Sequence, residues 1–349
     1  GLLSEEYMKI LIDILHPAHV HLFKNFIRIM EEKGHKILVT ARTKDVAIDL
    51  LQKYKIKFVK ISSLKKGKFN LLWEFVSRTY RLYKISKRFK PDVLLGDMGP
   101  SISLVGKLLG RPSVVIYNNE CAGMTNWFVY PLASAVCTPD SYYKKVNGTH
   151  FTYPGCHELA YLHPHYFVPD KTVLKDLGLR KGEKFFLVRF VSWQASHDIN
   201  QKGLDLKMKR AIVHTLEKYG RVVITSENEL PKEFEKYRMA VSPDKIHSVM
   251  YYSSLYVGEG ATMASESAVL GTPAVYVNNL QFGYLYDHQK YGLAFNFKTF
   301  KPALAKVRSL VEGGLSDKTF AVRKKKMLSD KIDLTQWMVD FISLRKWNR

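Results

Sequence analysis

Cysteine and long apolar runs are both scarce in this 349-residue chain. The three cysteines, Cys121, Cys137 and Cys156, are too few for a disulfide framework and lack the spacing of metal ligands, so we expect reduced, buried thiols. No apolar run approaches the roughly 18 to 20 residues that a membrane-spanning helix needs, and residues 1–10 lack the charged and apolar regions of a signal peptide. These absences argue against a disulfide-rich secreted domain and a helical membrane protein, and they predict a cytoplasmic protein.

Acidic residues are also few, because 32 Asp and Glu stand against 54 Lys and Arg, which gives a net charge of +22. Such an imbalance favours a polyanionic partner or an anionic surface. The hydrophobic content of 46% and the charged content of 25% are ordinary for a globular protein and argue against a disordered or collagen-like chain. At roughly 100 to 200 residues per domain, the length predicts two domains.

Short β-branched runs alternate with segments of helical periodicity along the chain. The strand-like run 9–14 precedes a helix-like segment at 20–32 and a second strand-like run at 36–40, and the alternation continues from there. This pattern predicts parallel strands joined by right-handed crossovers, which is the architecture of a doubly wound α/β domain.

The stretch 153–170, rich in proline, glycine and histidine, interrupts the alternation with turn and linker residues and predicts a domain boundary. We assign residues 8–160 to an N-terminal domain and residues 171–330 to a C-terminal domain, both doubly wound and Rossmann-like. The amphipathic segment 334–349 is expected to pack back on the first domain. Two such domains are predicted to hold a ligand in a cleft between them, at the carboxyl ends of their strands.

The sharpest motif is GEGATMASE at 258–266, directly after an apolar run. The small residues Gly258, Gly260 and Ala261 let backbone amides approach a phosphate, and the helix that follows presents its positive N-terminal end to that charge. Glu259 fits such a site only if its side chain faces away. The motif predicts a phosphate-binding loop, with an ordinary tight turn as the alternative.

An acidic residue follows about one turn into the same predicted helix. Glu266 lies four residues past Thr262 and therefore on a similar face, where its carboxylate can accept hydrogen bonds from the hydroxyls of a ribose. The order strand, glycine-rich loop, helix and acid is typical of a nucleotide site. A surface acid with no ligand is the alternative.

GEGATMASESAVLGTPAVYV at 258–277 and ILIDILHPAHVHLFKNFI at 10–27 resemble a prokaryotic family known as domain of unknown function 354, and the resemblance covers nearly the whole chain. That family is placed among GT-B folds, beside the lipid-intermediate N-acetylglucosaminyltransferases of peptidoglycan synthesis and the non-hydrolysing UDP-N-acetylglucosamine 2-epimerases. The resemblance implies that Glu266 binds the ribose and that residues 260–262 face the diphosphate. It also implies a nucleotide-sugar substrate, with no cofactor and no metal.

Three histidines, His16, His19 and His21, occupy the predicted loop after the first strand and the start of the helix that follows, at the ligand side of a doubly wound sheet. An imidazole can take a proton from a sugar hydroxyl as a glycosyl bond forms. Ala18-His19-Val20 is similar to the Gly-His-Val of the peptidoglycan glycosyltransferases, and this resemblance singles out His19 as the base. His21 is expected to pack or cap, and a zinc site lacks a fourth ligand. Structural or solvated histidines are the alternative.

Two carboxylates, Asp97 and Glu120, follow predicted strands and belong at the same sheet edge. In the 2-epimerases a similar Gly-Asp and a similar Glu carry out acid-base chemistry on the sugar, so the pair keeps an epimerase in consideration. Two departures weaken that resemblance. The Pro-Glu-Glu of the epimerases is absent from residues 126–132, and their His-Arg is replaced at residues 191–194. Capping of a helix by Asp97 is the alternative.

A further set of candidates follows the first strand of the second domain, where side chains reach the ligand edge. Its polar members could bind phosphate or base, and its tryptophan could stack on a base or a sugar, with core packing as the alternative. The set comprises Arg189, Ser192, Trp193, Gln194 and His197.

The segment 65–90 concentrates positive charge, with Glu74 as its one acid, on a helix that also has an apolar face. A basic amphipathic helix is typical of a membrane-surface element. A solvated basic face is the alternative, and RNA binding ranks third because no nucleic-acid motif accompanies the charge. The residues assigned to this membrane or polyanion surface are Arg78, Arg81, Lys84, Lys87 and Arg88.

Taken with the resemblance, these residues favour a metal-independent GT-B glycosyltransferase. It would move a sugar from a donor, UDP-linked by family analogy, to an acceptor that we expect to be lipid-linked, in polysaccharide or glycoconjugate synthesis on the inner face of the membrane. A non-hydrolysing nucleotide-sugar 2-epimerase is the second hypothesis. A non-catalytic protein that binds a nucleotide or RNA is the third.

Overall fold

The computed structural model describes residues 6–43, 45–63, 68–191, 203–226 and 229–348. The chain forms two compact units, unit 1 (Gly1–Tyr166 with Ile332–Arg349) and unit 2 (Phe167–Lys331). Within the described ranges, no helix is both long enough and apolar enough to cross a membrane.

Unit 1 is built on a sheet of seven described strands, and every neighbouring pair is parallel. The strands are β1 (Lys9–Ile14), β2 (Lys36–Thr43), β3 (Phe58–Ser63), β4 (Val93–Asp97), β5 (Ser113–Ile116), β6 (Ala135–Pro139) and β7 (His150–Tyr153). Their spatial order is β3-β2-β1-β4-β5-β6-β7. The helices between them are α1 (Pro17–Glu32), α2 (Asp45–Lys53), α3 (Lys68–Phe89), α4 (Pro100–Leu109) and α5 (Gly123–Leu132).

Unit 2 contains a sheet of five described strands, again with all pairs parallel. The strands are β8 (Phe185–Arg189), β9 (Arg221–Ile224), β10 (Leu255–Gly258), β11 (Ala274–Val277) and β12 (Ala294–Phe297), in the order β12-β11-β10-β8-β9. Its helices are α6 (Thr172–Asp176), α7 (Leu206–Glu217), α8 (Ile246–Tyr252), α9 (Ala261–Leu270), α10 (Gly283–Lys290), α11 (Phe300–Ser309) and α12 (Asp317–Asp330). The predicted α/β class is confirmed in both units.

The last helix, α13 (Leu334–Ser343), belongs to unit 1 and packs against α1. Its apolar face stacks Trp337 against Phe341, with ring centroids 4.9 Å apart, and Phe341 also meets Phe151 of β7 edge-on. The Thr335 hydroxyl donates to the Ala160 carbonyl, so the C-terminal segment is fixed by a polar contact as well as by apolar burial.

The apolar sequence of β1, KILIDI, explains its central place, since a parallel strand covered by helices on both faces must be apolar throughout. Helix α1 begins at Pro17 rather than at the predicted residue 20, because His16 caps it through its side chain and proline is favoured in the first turn. The helix ends before Gly34, which adopts a left-handed φ of 88°. His19 therefore lies in the first helical turn and not in a loop.

The stretch 153–170, predicted to be turns and a linker, is in part a regular structural element. The short 3₁₀ helix His157–Ala160 follows β7, and all four of its residues are buried. Four residues are too few to show a helical period, so the sequence pattern there is that of turns. Cys121 also departs from expectation, since it is exposed while Cys137 and Cys156 are buried.

One predicted surface residue is in the interior. Arg78 on α3 is 1% exposed and bonds through its guanidinium to Asp13 of β1 and to the Ser62 hydroxyl. The prediction that Arg78 belongs to a membrane surface is wrong, because the buried carboxylate of Asp13 requires a positive partner. Glu74, the acid of the segment, is likewise buried, and it accepts two hydrogen bonds from Arg42.

The strand orders define one switch point in each sheet, where connections leave to opposite sides. In unit 1 it lies between β1 and β4, and in unit 2 it lies between β10 and β8. Crevices for ligands open at the carboxyl ends of strands at such points. The residues that follow these four strands are therefore candidates for a functional site.

Candidate functional site

The switch point of unit 1 brings together three buried polar side chains. Asp97 ends β4, His19 lies at the start of α1 after β1, and His157 opens the 3₁₀ helix after β7. His19 Nε2 lies 3.5 Å from Asp97 Oδ2, and His157 Nδ1 lies 3.6 Å from the same oxygen. The two imidazoles thus flank one carboxyl oxygen, slightly beyond ordinary hydrogen-bond length.

Burial decides the charge of this cluster. Desolvation raises the pKa of the Asp97 carboxyl to about 7, and it lowers the pKa of His157 to about 3. The pKa of His19 is also well below its usual value, first because of burial and then because of repulsion from the charged forms of His16, His157 and Arg78. The contacts are therefore not ion pairs at neutral pH. Two neutral imidazoles flank a carboxyl group that titrates there.

Hydrogen bonding also fixes the proton on His19. Its Nδ1 accepts the backbone N–H of Leu15 at 3.2 Å, so the neutral ring carries its proton on Nε2, the atom that faces Asp97. A neutral ring of this tautomer cannot take a proton at Nε2. The geometry therefore favours Asp97 as the proton acceptor of the cluster, with His19 as its neighbouring donor, while the assignment of His19 as the base stays a prediction.

The turn after β4 positions Asp97. Met98 and Gly99 both adopt left-handed backbone conformations, with φ of 61° and 56°. Such a φ is costly for a methionine and is tolerated where the surroundings enforce it. A Cβ on Gly99 would approach Ile102 to 2.9 Å. Gly99, with no side-chain cap, is the N-cap of α4, so helix capping does not account for Asp97.

Glu120 follows β5, the strand beside β4, and is buried. Both carboxyl groups act on Tyr117, whose pKa is raised first by burial and then by the charges of Tyr130, Asp97 and Glu120. The Tyr117 hydroxyl donates to the Asn126 side-chain oxygen on α5. The structure therefore brings Asp97 and Glu120 to one edge of the sheet, as their positions after neighbouring strands predicted.

His157 and the adjacent buried Glu158 were missed by sequence reasoning. They sit in a stretch that reads as turns, and the usable signal was a His-Glu pair a few residues after a strand-like run. His21 was expected to pack, and its ring meets those of Tyr54 and Tyr161, with centroids 6.1 and 5.3 Å away.

In unit 2 the loop between β10 and α9 makes a close backbone approach. A Cβ on Gly258 would lie 2.4 Å from the Arg189 carbonyl oxygen, so only glycine fits beside β8. Gly260 is the N-cap of α9 and provides no side-chain cap to the first helical amides. Ala261 is half-buried and Thr262 is exposed. The N-terminal end of α9 thus offers backbone donors and a positive dipole end to an anion.

The carboxylate of Glu259 is bonded to backbone N–H groups. Its carboxylate accepts backbone N–H groups from Leu204 at 2.8 Å and from Val191 at 3.2 Å. Both carboxylate oxygens are therefore occupied by backbone donors. The predicted site residues Ser192, Trp193, Gln194 and His197 lie outside the described residues.

Glu266 is buried on α9, and His247 of α8 bonds its Oε1 at 2.8 Å from Nε2. This contact orients the carboxylate and was not foreseen from the sequence. Arg189 ends β8 at the same switch point and is half-buried. Its positive charge acts on Tyr256 of β10, since it opposes the burial-driven rise in the pKa of that residue.

The exposed face of α3 combines positive and apolar side chains. Arg81, Lys84, Lys87 and Arg88 are all exposed near the end of the helix. Earlier on the same helix Leu72, Trp73, Val76 and Tyr80 are exposed, Trp73 to 71%. On α5 Met124 and Trp127 are also exposed, and contact between the Phe75 and Phe128 rings joins the two helices. We call these side chains the α3–α5 surface.

The chain is similar to a protein family and to an uncharacterized protein. The family described as "Protein of unknown function (DUF354)" matches residues 8–342. The uncharacterized protein MJ0665 of Methanocaldococcus jannaschii is 27% identical over 282 residues, which are 76% of this chain and 80% of that protein.

Solved structures with the same fold include both transferases and epimerases. A glycotransferase of kitacinnamycin has a TM-score of 0.68 at 14% identity, covering 97% of this chain and 98% of its own. The UDP-GlcNAc 2-epimerase of Neisseria meningitidis, bound to UDP-GlcNAc, has a TM-score of 0.67 at 13% identity, covering 97% and 100%. A complex of S. aureus MnaA with UDP has a TM-score of 0.69 at 12% identity, covering 97% and 96%. These likenesses confirm the predicted GT-B fold.

Replacing Asp97 with Asn should change how stability depends on pH. The folded-state pKa of about 7 lies above the unfolded value of about 3.9, so the carboxyl group contributes stability that is fully present below about pH 4 and is lost as the pH rises through 7. Relative to Asp97→Asn, the wild type should lose up to about 1.4 kcal/mol per pH unit across that range. Urea unfolding of both proteins at several pH values measures the difference. A constant difference would mean that Asp97 is ionised throughout.

Proposed function

The chain belongs to the DUF354 family, and from that premise we propose that it is a glycosyltransferase that moves a sugar from a nucleotide-sugar donor to an acceptor hydroxyl group. The observation that carries the proposal is that each unit has a candidate site of a different kind at its own switch point. Unit 2 has an uncapped helix end at its switch point, and unit 1 has a titrating carboxyl group at its own.

Unit 2 is proposed to bind the donor. The backbone amides at the start of α9 would receive the diphosphate, with Arg189 adding positive charge from the end of β8. Glu266, oriented by His247, would accept hydrogen bonds from the ribose. We propose a UDP-linked donor, on the basis of its GT-B relatives and not of any contact to a base. All charge stabilisation in this scheme comes from amides and an arginine, so neither a metal nor a cofactor is required.

Unit 1 is proposed to activate the acceptor. The acceptor oxygen attacks the anomeric carbon, the bond from that carbon to the diphosphate breaks, and the diphosphate leaves with the electron pair. Asp97 takes the proton of the acceptor hydroxyl, for which a pKa near 7 is suited at neutral pH. The Nε2–H of His19 and the ring of His157 lie beside the carboxyl group, at 3.5 and 3.6 Å from the same oxygen.

The acceptor is proposed to be linked to a lipid. The α3–α5 surface combines tryptophan, tyrosine and aliphatic side chains with lysine and arginine, which is the composition of elements that bind the interface of an anionic membrane. The Lys84 ammonium lies 4.5 Å from the centre of the Tyr80 ring, so charge and apolar area are adjacent. Peripheral binding to the inner leaflet would place unit 1 near such an acceptor, in polysaccharide or glycoconjugate synthesis.

A nucleotide-sugar 2-epimerase is the second candidate, favoured by one observation. Asp97 and Glu120 are both buried and both act on Tyr117, so two carboxyl groups are available at one sheet edge to remove and return a proton. Against it, α5 (GMTNWFVYPL) contains no acidic residue where the epimerases carry Pro-Glu-Glu.

Nucleotide binding should depend on Glu266. Glu266→Ala is expected to lose roughly 1.5 to 3 kcal/mol of affinity for UDP, the value of hydrogen bonds to a charged group. Isothermal calorimetry on both proteins measures it, with Glu312→Ala, an exposed acid of unit 2, as the control. Equal affinity of wild type and Glu266→Ala would remove this residue from the site.

Substitutions in the unit 1 cluster should lower turnover without changing donor affinity. Asp97→Asn is expected to lower turnover by about 10² to 10⁴, because the acceptor and not the nucleotide needs deprotonation. His19→Ala should lower it as well. Incubation with a panel of nucleotide sugars, with and without lipid acceptors, followed by mass spectrometry gives the readout. Donor isomerised without an acceptor would identify the epimerase instead, and full activity of Asp97→Asn would refute its role as the base.

Binding to membranes should require the α3–α5 surface. Two double variants are expected to abolish cosedimentation with acidic vesicles while leaving UDP binding intact. One is Lys84→Glu with Lys87→Glu, and the other is Trp73→Ala with Trp127→Ala. Wild-type binding should weaken steeply as salt rises, since charges are screened within about 8 Å at physiological ionic strength. Lys301→Glu with Arg308→Glu makes the same charge change in unit 2 and is the control. Equal sedimentation with neutral vesicles, or equally salt-sensitive retention on RNA, would contradict the proposal.

A further inference from the structure

A second cluster of polar side chains lies in unit 1, apart from every residue of the proposed reaction. One ring nitrogen each of His163 and His165 and one carboxylate oxygen of Asp333 lie within 4.8 Å of one another. His165 Nδ1 and Asp333 Oδ2 are 2.9 Å apart. The pair is hydrogen-bonded at this distance, and two ligands that bind one tetrahedral ion at about 2.1 Å are only slightly farther apart, at about 3.4 Å.

The backbone presets the two imidazoles. Tyr166 N–H donates to the His163 carbonyl at 2.9 Å, which closes a turn around the sequence His163-Pro164-His165. Pro164 occupies the second position of this turn, where its fixed φ is favoured. The rings of the two histidines meet nearly edge-on, with centroids 4.2 Å apart. The side chains are therefore brought together by local structure and need no ion to converge.

The carboxylate is held from three directions. Asp333 Oδ2 accepts the Tyr166 hydroxyl at 2.7 Å, in addition to its contact with His165. Its other oxygen accepts the Gln336 N–H at 3.0 Å and so caps α13. Hydrogen bonds of this kind around a ligating carboxylate orient it and are typical of metal sites.

We propose that His163, His165 and Asp333 form a binding site for a divalent transition-metal ion of the Zn²⁺ class, with Tyr166 orienting the carboxylate. Two imidazoles and one carboxylate are ligands for such an ion, whereas Mg²⁺ and Ca²⁺ favour oxygen. The His165 side chain is 66% exposed and that of Asp333 is 12% exposed, so an ion can enter from solvent on the histidine side and keep water as its remaining ligands.

The site has a structural purpose that follows from its place in the chain. His165 and Asp333 are 168 residues apart in sequence, and unit 2 is the segment between them. Unit 1 consists of two chain segments, one before and one after unit 2. A bound ion would join the turn at the end of the first segment to the start of the second. It would therefore stabilise the docking of α13 onto unit 1, since an ion that binds the folded form alone raises its stability.

Zinc binding to the full-length, untagged chain tests the site. After treatment with a chelator, the protein is titrated with Zn²⁺ by calorimetry and with Co²⁺ by visible absorption, at a pH above the ordinary imidazole pKa of about 6.5. We expect His163→Ala and His165→Ala each to weaken Zn²⁺ binding at least about tenfold and to remove the Co²⁺ absorption bands. Zinc should also raise the thermal unfolding temperature of the wild type.

Two further variants separate a ligand from a structural residue. Asp333→Asn keeps an oxygen that can cap α13, so it should preserve the fold without zinc while losing the zinc-dependent rise in unfolding temperature. His214→Ala removes an exposed histidine of α7 and should change neither measurement. Zinc affinity and thermal shift that are the same in wild type, His165→Ala and Asp333→Asn would overturn the proposal.

Discussion

The unit 1 site depends on the burial of the Asp97 carboxyl group away from solvent water. In a polar, open setting this carboxylate would be fully ionised and a poor proton acceptor, whereas burial raises its pKa to about 7. The same burial keeps His19 and His157 neutral. A charged imidazole beside Asp97 would pull its pKa down again, so the neutrality of the histidines and the basicity of the carboxyl group require each other.

Both sites arise from one topological rule and differ in chemistry through a few residues. Each parallel sheet has a switch point, and the chain supplies side chains or amides at the ends of the strands there. In unit 1 these are Asp97 and the neighbouring imidazoles, which suit proton transfer. In unit 2 Gly258 and Gly260 expose backbone instead, and the Glu259 carboxylate accepts hydrogen bonds from the backbone of Leu204 and Val191. That end of the sheet suits an anion.

Helix α3 carries two kinds of positive charge. Arg78 faces the interior, where it balances the carboxylate of Asp13, and loss of such a partner costs about 3 to 5 kcal/mol. Lys84 and Lys87 face solvent on the same helix and contribute little to the fold, since exposed charges interact weakly. On this helix, the charge of Arg78 thus stabilises the fold. The charges of Lys84 and Lys87 are available for a partner, on the helix that also exposes Trp73.

The sequence by itself determined the α/β class, the strand β1 and the loop before α9, because apolar periodicity and glycine spacing are local properties. It also placed Asp97 and Glu120 after neighbouring strands, and so at one edge. Only the tertiary structure decided that Arg78 is buried, that His157 joins Asp97 and that His247 holds Glu266. These contacts join residues distant in the chain, and burial, which sets their charge, is a property of the packed structure and leaves no periodic signal in the sequence.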